Sequence, residues 1–104
     1  MRTLAFELPL ERIAAYCQDE PVVRLSLFGS VLRDDFSDRS DVDLLVDLAP
    51  GARVGLFKFL GMKSELEKII GRTVDLRTAD DLHPRFRDRV VREAEEIYAR
   101  QDGR

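Results

Sequence analysis

Residues 27–48 read LFGSVLRDDFSDRSDVDLLVDL, and their spacing decides the fold. An apolar strand end runs into Gly29-Ser30, ten residues follow, and Asp41-Val42-Asp43 opens a second alternating stretch. Over 41–48, Val42, Leu44, Val46 and Leu48 take one face of a strand, and Asp41, Asp43 and Asp47 take the other. Acids at i and i+2 on one face stand roughly 6.5–7 Å apart at Cα, so Asp41 and Asp43 can converge on one site. Like charges this close repel, and a divalent cation, which prefers oxygen ligands, removes the conflict. Two such cations can clamp the attacking and leaving oxygens of an in-line phosphoryl displacement. Asp47 lies roughly 13 Å beyond Asp43 along the strand, too far for the same metals, and reads as a structural or surface acid.

The Gly29-Ser30 step supplies the other half of such a site. It stands between a strand and the start of a short helix through Arg33, where unpaired backbone N–H groups favour phosphate. Glycine allows close backbone approach, and the Ser30 hydroxyl can donate to a phosphate oxygen. A plain helix N-cap is the bland alternative for Ser30, compatible with the first role. Residues 34–40 are polar and turn-like, with Ser40 ordering the entry to the acidic strand.

Outward from this stretch, residues 9–18 read as a helix with Leu10, Ile13, Ala14 and Cys17 on one face. Residues 22–28 read as a strand, with Val23, Leu25 and Leu27 on one side and Arg24 and Ser26 on the other. Pro50-Gly51 marks a turn. Residues 55–70 form a helix with Leu56, Phe59, Met62, Leu66, Ile69 and Ile70 inward and Gly71 as its C-terminal cap. Residues 73–77 make a third strand, with Asp75 opposite Val74 and Leu76. Residues 84–99 complete the pattern as a last helix burying Phe86, Val90, Ala94 and Ile97. The expected architecture is an α/β domain, a small three-stranded mixed sheet flanked by about four helices.

The 104 residues suit one domain, 1–104. Hydrophobic residues at 44% can bury a core, and a net charge of -3 disfavours non-specific nucleic-acid binding. A local exception is the cluster Arg85, Arg87, Arg89 and Arg92, read as a solvated helix face or as a surface for partner or triphosphate. Cys17 is the single cysteine, so intrachain disulfides and zinc clusters are excluded, and a buried structural thiol is expected. His83, the single histidine, precedes Pro84 and reads as a capping or surface group rather than a base. No apolar run approaches membrane-spanning length, and Glu7, Pro9 and Glu11 interrupt where a signal peptide needs apolar sequence, so cytoplasm is the expected location.

GSVLRDDFSDRSDVD resembles the signature of the DNA polymerase β-like nucleotidyltransferase superfamily, a Gly-Ser step followed after ten residues by two spaced acids. The chain looks most like the minimal nucleotidyltransferase branch, often encoded beside a HEPN-domain protein as a toxin–antitoxin pair. The stretch GRTVDLRTADDLHPRFRDRV extends the resemblance to the third strand and last helix. The resemblance implies that Asp41 and Asp43 bind magnesium, two ions being expected, and that Asp75 is the third carboxylate. It implies nucleotide contacts at Gly29, Ser30, Arg33 and Ser40, with ATP as substrate. Asp34 departs from the glycine common after that arginine.

The implied activity is magnesium-dependent transfer of AMP from ATP to a hydroxyl of a partner HEPN-type toxin, with this chain as antitoxin in a hetero-oligomer. Two other readings stand beside it. One is a non-catalytic antitoxin that neutralises its partner by binding. The other is a small-molecule nucleotidyltransferase, disfavoured because the sequence is nearly all catalytic core.

Overall fold

The computed structural model describes residues 7–33, 36–37 and 39–100. Helix α1 spans Leu10–Gln18 and strand β1 Val22–Phe28, followed directly by a 3-10 turn over Gly29–Leu32. Strand β2 spans Val42–Leu48, helix α2 Leu56–Ile70 and strand β3 Val74–Arg77. A second 3-10 turn over Ala79–Asp81 leads to helix α3, Pro84–Glu93, and strand β4, Glu95–Ala99. The strands form one sheet in the order β3-β2-β1-β4. β1 pairs antiparallel with β2 and with β4, and β2 pairs parallel with β3.

Alternation in the strands sorts the two faces. Leu25, Leu27, Leu44, Val46, Val74 and Leu76 are buried together with Ile13 and Cys17 of α1 and Met62, Leu66 and Ile70 of α2. Each such side chain contributes about 1.5–3 kcal/mol by leaving water. Burial pushes the Cys17 thiol up to about 11, with the Glu20 charge adding to the shift, so it stays protonated and inert at neutral pH. The opposite face of the central strands carries Ser26, Asp43 and Asp75, and there Ser26 faces Leu45 across the β1–β2 ladder, both buried. Gly71 ends α2 in the left-handed region at φ 79°, its N–H bonded to the Glu67 carbonyl at 2.7 Å.

The observed sheet has four strands where the periodicity predicts three, and three α-helices with two 3-10 turns where it predicts about four helices. The difference lies in residues 84–99. The helix stops at Glu93, because Ala94 adopts an extended conformation at φ -63°, ψ 142°. Residues 95–99 then pair with β1, which would otherwise leave an unpaired edge. Ala94 and Ile97 are accordingly half-buried beside the sheet rather than on a helix face, and Phe86 is 52% exposed. Leu56, expected inward, is 70% exposed, and the packed face of α2 begins at Phe59 and Met62. Gly29–Leu32 is a 3-10 turn rather than an α-helix, and Asp41 stands one residue before β2. Asp34, and with it the departure from the family glycine, lies outside the described residues.

Candidate active site

The parallel register between β2 and β3 pairs Val42 with Val74 and Asp43 with Asp75. Both acids therefore leave the face opposite the main core, side by side on neighbouring strands. Their register is fixed from behind. Glu67 of α2 accepts the Val74 N–H at 2.9 Å and the Lys63 ammonium at 3.0 Å, stapling the start of β3 to the helix. Those two bonds, the Val74 N–H first, hold the Glu67 carboxyl below the usual range.

Phe28, the last residue of β1, pairs with Asp43 across the antiparallel ladder. The chain then turns through Gly29 at φ 73°. The Ser30 N–H donates to the Asp43 carboxylate, and the carboxylate lies where a Cβ on Gly29 would stand. Burial pushes the Asp43 carboxyl above its ordinary range, and the Asp75 charge adds to this. The Ser30 N–H pulls it back, Asp41 raises it further and Arg77 lowers it. Asp41 is exposed but close enough for its charge to be felt at Asp43.

Asp75 faces Arg77, whose Nε lies 3.2 Å from each carboxylate oxygen. Among the described residues no three side chains of the Asp, Glu, His or Cys type close around a single point in this arrangement. The donor chemistry still suits a hard divalent cation. The set is all oxygen, and like charges meet at Asp43, a conflict that a cation relieves. Asp43 and Asp75, side by side with Asp41 nearby, are the carboxylates whose chemistry suits such an ion.

A cleft of about 610 Å³ opens beside this turn, lined by Phe28, Gly29, Leu32, Arg33, Phe86 and Arg89 among others. Arg33 and Gly29 therefore share one wall of one cleft. Ser40 does not join them. Its hydroxyl accepts the Ser37 N–H at 3.1 Å, ordering the turn before β2. It lines a separate polar hollow with Asp41 and Arg72. Arg72 holds that turn to β3, donating to the Ser37 carbonyl at 2.8 Å and lying 4.8 Å from the Phe36 ring centroid.

The arginine cluster divides by role. Arg87 donates to the carbonyls of Ala79 at 2.8 Å and Leu82 at 3.1 Å, anchoring α3 to the turn after β3. Arg89 lines the cleft and pairs with Glu93 at 3.5 Å, while Arg85 and Arg92 are exposed. His83 caps α3, its Nδ1 accepting the Arg85 N–H at 3.1 Å. Asp47 pairs with Arg24 at 3.6 Å, a surface ion pair. Arg77 and Phe86 are the additions that the site makes to the residues expected from sequence. Arg77 had a signal, since i+2 in a strand shares the face of Asp75. Phe86 had none, because its periodicity reads as core.

Residues 10–97 match the nucleotidyltransferase domain family. A Methanocaldococcus jannaschii protein that bears a protein adenylyltransferase name is 37% identical over 76 residues, covering 73% of this chain and 80% of that one. The protein adenylyltransferase MntA of Thermococcus cleftensis is 35% identical over 72 residues, 69% of this chain and 71% of that one. A solved minimal nucleotidyltransferase superposes with a TM-score of 0.68 at 36% identity, over 82% of this chain and 85% of the other. A crystal structure of a toxin–antitoxin with AMP-PNP shares the fold, with a TM-score of 0.70 at 18% identity over 91% and 77% of the two chains. Among the described residues no helix is long and apolar enough to cross a membrane. With the family match running from α1 into β4, the chain belongs to the minimal nucleotidyltransferases and is an enzyme that transfers nucleotides.

Proposed function

We propose that this chain is a magnesium-dependent protein adenylyltransferase of the cytoplasm. It transfers AMP from ATP to a hydroxyl side chain of a HEPN-type toxin and so acts as its antitoxin. The observation that carries this reading is the register of Asp43 beside Asp75, with the Asp43 carboxylate seated against the Gly29-Ser30 turn. Support comes from the protein adenylyltransferase names of the relatives and from the toxin–antitoxin neighbours of the same fold.

In this reading Asp41, Asp43 and Asp75 hold magnesium, which when bound neutralises phosphate charge. Gly29 and Ser30 cradle the outer phosphates, and Arg33 lines the cleft in which the nucleotide lies. The Ser40 side chain orders the turn and contributes only through it. The acceptor oxygen forms a bond to the α-phosphorus while the bond from that phosphorus to the oxygen bridging to the β-phosphate breaks. Pyrophosphate leaves with the electron pair, and Asp75 draws off the hydroxyl proton. The cleft walls of Phe28, Leu32, Phe86 and Val90 offer apolar surface for a base, with Arg89 at the rim.

The test is to incubate the chain, magnesium and ATP with the product of the adjacent gene and to weigh both proteins intact. The expected result is a gain of nucleoside monophosphate on the partner. No gain, with the partner nevertheless silenced, overturns the enzyme reading.

One observation favours a second reading, neutralisation by covering the partner. Leu56, Phe57 and Leu60 stand exposed together at the start of α2, Phe57 at 89%. A contiguous exposed apolar patch is the type of surface that protein contacts use. Binding and modification are compatible, and the mass measurement separates them.

A further inference from the structure

Arg77 belongs to the chemistry of the acidic face. It lies two residues beyond Asp75 in β3, so both side chains leave the same face of the sheet. Its Nε addresses both Asp75 oxygens at 3.2 Å. In the register with β2, Arg77 stands beside Leu45, an apolar residue, while Asp75 stands beside Asp43. The guanidinium therefore turns along its own strand to the carboxylate that stands beside Asp43. It engages the two oxygens that any cation approaching Asp75 must also use.

We propose that Arg77 is a built-in counter-ion, which holds Asp75 in the cation-free protein and competes with a divalent cation for it. This inference rests on the reading of Asp75 as a metal ligand. It deepens that reading by assigning to Arg77 the metal concentration at which the site fills. Without nucleotide, the positive charge of Arg77 disfavours a second cation and occupies its ligand. A bound triphosphate adds negative charge and oxygen donors, and the balance then shifts to the metal. The pair is exposed to solvent, with side chains at 45% and 38%, so the competition is screened and modest.

The probe is manganese(II) alone, titrated into the full chain while free ion is followed by electron paramagnetic resonance. Arg77→Gln is expected to tighten binding about two- to five-fold in the absence of nucleotide, the factor that an exposed ion pair is worth. Arg77→Lys restores the wild-type midpoint by restoring the charge. With a non-hydrolysable ATP analogue present, the difference between Arg77→Gln and wild type shrinks. In an Asp75→Asn background the Arg77→Gln effect disappears, as a double-mutant cycle requires. A merely structural role for Arg77 would loosen the site and weaken binding. Equal or weaker binding by Arg77→Gln, with wild type binding normally, overturns the counter-ion alone. Failure of wild type to bind manganese even with the analogue overturns the metal reading and this inference with it.

Discussion

The Asp43 carboxylate fills the volume that a Cβ on Gly29 would need, and the neighbouring Ser30 N–H bonds to it. The end of β1 and the start of β2 are thus locked through an acid and a backbone turn. Position 29 requires glycine for two separate reasons, the positive φ of 73° and the acid occupying its side-chain space. The turn serves first as a seat for Asp43. Any phosphate contact at Gly29-Ser30 is made by a backbone that this acid already shapes.

Gly29→Ala is therefore expected to harm the site more than the fold. The left-handed backbone costs a non-glycine residue roughly 1–2 kcal/mol, and the added methyl displaces the Asp43 carboxylate. Adenylyl transfer should fall by at least about tenfold, the equivalent of 1.4 kcal/mol, while the thermal unfolding transition stays cooperative at a lower midpoint. Near-normal transfer by this variant would sink the assignment of Asp43 to the reaction.

Asp43→Asn and Asp75→Asn separate two roles. Asparagine at 43 can still accept the Ser30 N–H, so the turn persists while the charge is lost. Transfer should be abolished, and the metal-free protein should melt no lower than wild type, because the repulsion from Asp75 and Asp41 is relieved. Asp75→Asn should lose turnover with a smaller loss of ATP affinity if it serves the acceptor hydroxyl. Nucleotide titration beside single-turnover rates reads both quantities. Equal losses would demote Asp75 to a metal ligand, and no loss would make it a surface acid.

Glu67 gives the pH dependence. Its folded carboxyl lies below the usual range because the Val74 N–H and Lys63 favour the charged form. The stability it contributes is fully present above its unfolded pKa and is lost as pH falls through the lowered folded value. Glu67→Gln should cost roughly 0.5–1 kcal/mol at neutral pH. The gap from wild type should close in acid, where Glu67 itself is protonated. Urea unfolding from neutral pH down past the ordinary glutamate value follows the gap as it narrows toward the lowered folded value. A gap that persists unchanged in acid would remove the charge of Glu67 from the explanation.

Local alternation made β1, β2 and β3 legible, because Val42, Leu44 and Val46 point one way and Asp43 the other. α2 was legible to its last residue because Gly71 supplies the left-handed cap. The end of α3 was not. Val90, Ala94 and Ile97 fall at helical spacing, and no glycine or proline interrupts residues 85–99. What halts the helix is distant in sequence, the open edge of β1 that takes Glu95–Ala99 as a partner. The acids of the site were visible as types and spacings. Their mutual arrangement was not, since the pairing of Asp43 with Asp75 depends on a parallel register set through Glu67 and Val74. Arg33 and Arg89 facing one cleft likewise depends on where α3 lies.

For the proposed protein partner, the fold narrows which residues an interface can use. Arg87 anchors α3 through the Ala79 and Leu82 carbonyls, so reversing it would damage the domain itself. Arg89 lines the cleft beside the Gly29-Ser30 turn. Arg85 and Arg92 are exposed and stand outside both tasks. Arg85→Glu with Arg92→Glu should slow association with an acidic partner surface and reduce its salt sensitivity, leaving ATP binding intact. Phe57→Ser should act instead on the dissociation rate, because it removes apolar contact. Stopped-flow association and surface-based dissociation rates distinguish the two effects. Partner association unchanged by all three substitutions would place the interface elsewhere. The chemistry is then isolated with the Asp41→Asn, Asp43→Asn double variant. It should still bind the partner, and add no nucleoside monophosphate to it. If that variant silences the partner as well as wild type does, neutralisation is by covering and does not use the transferase activity.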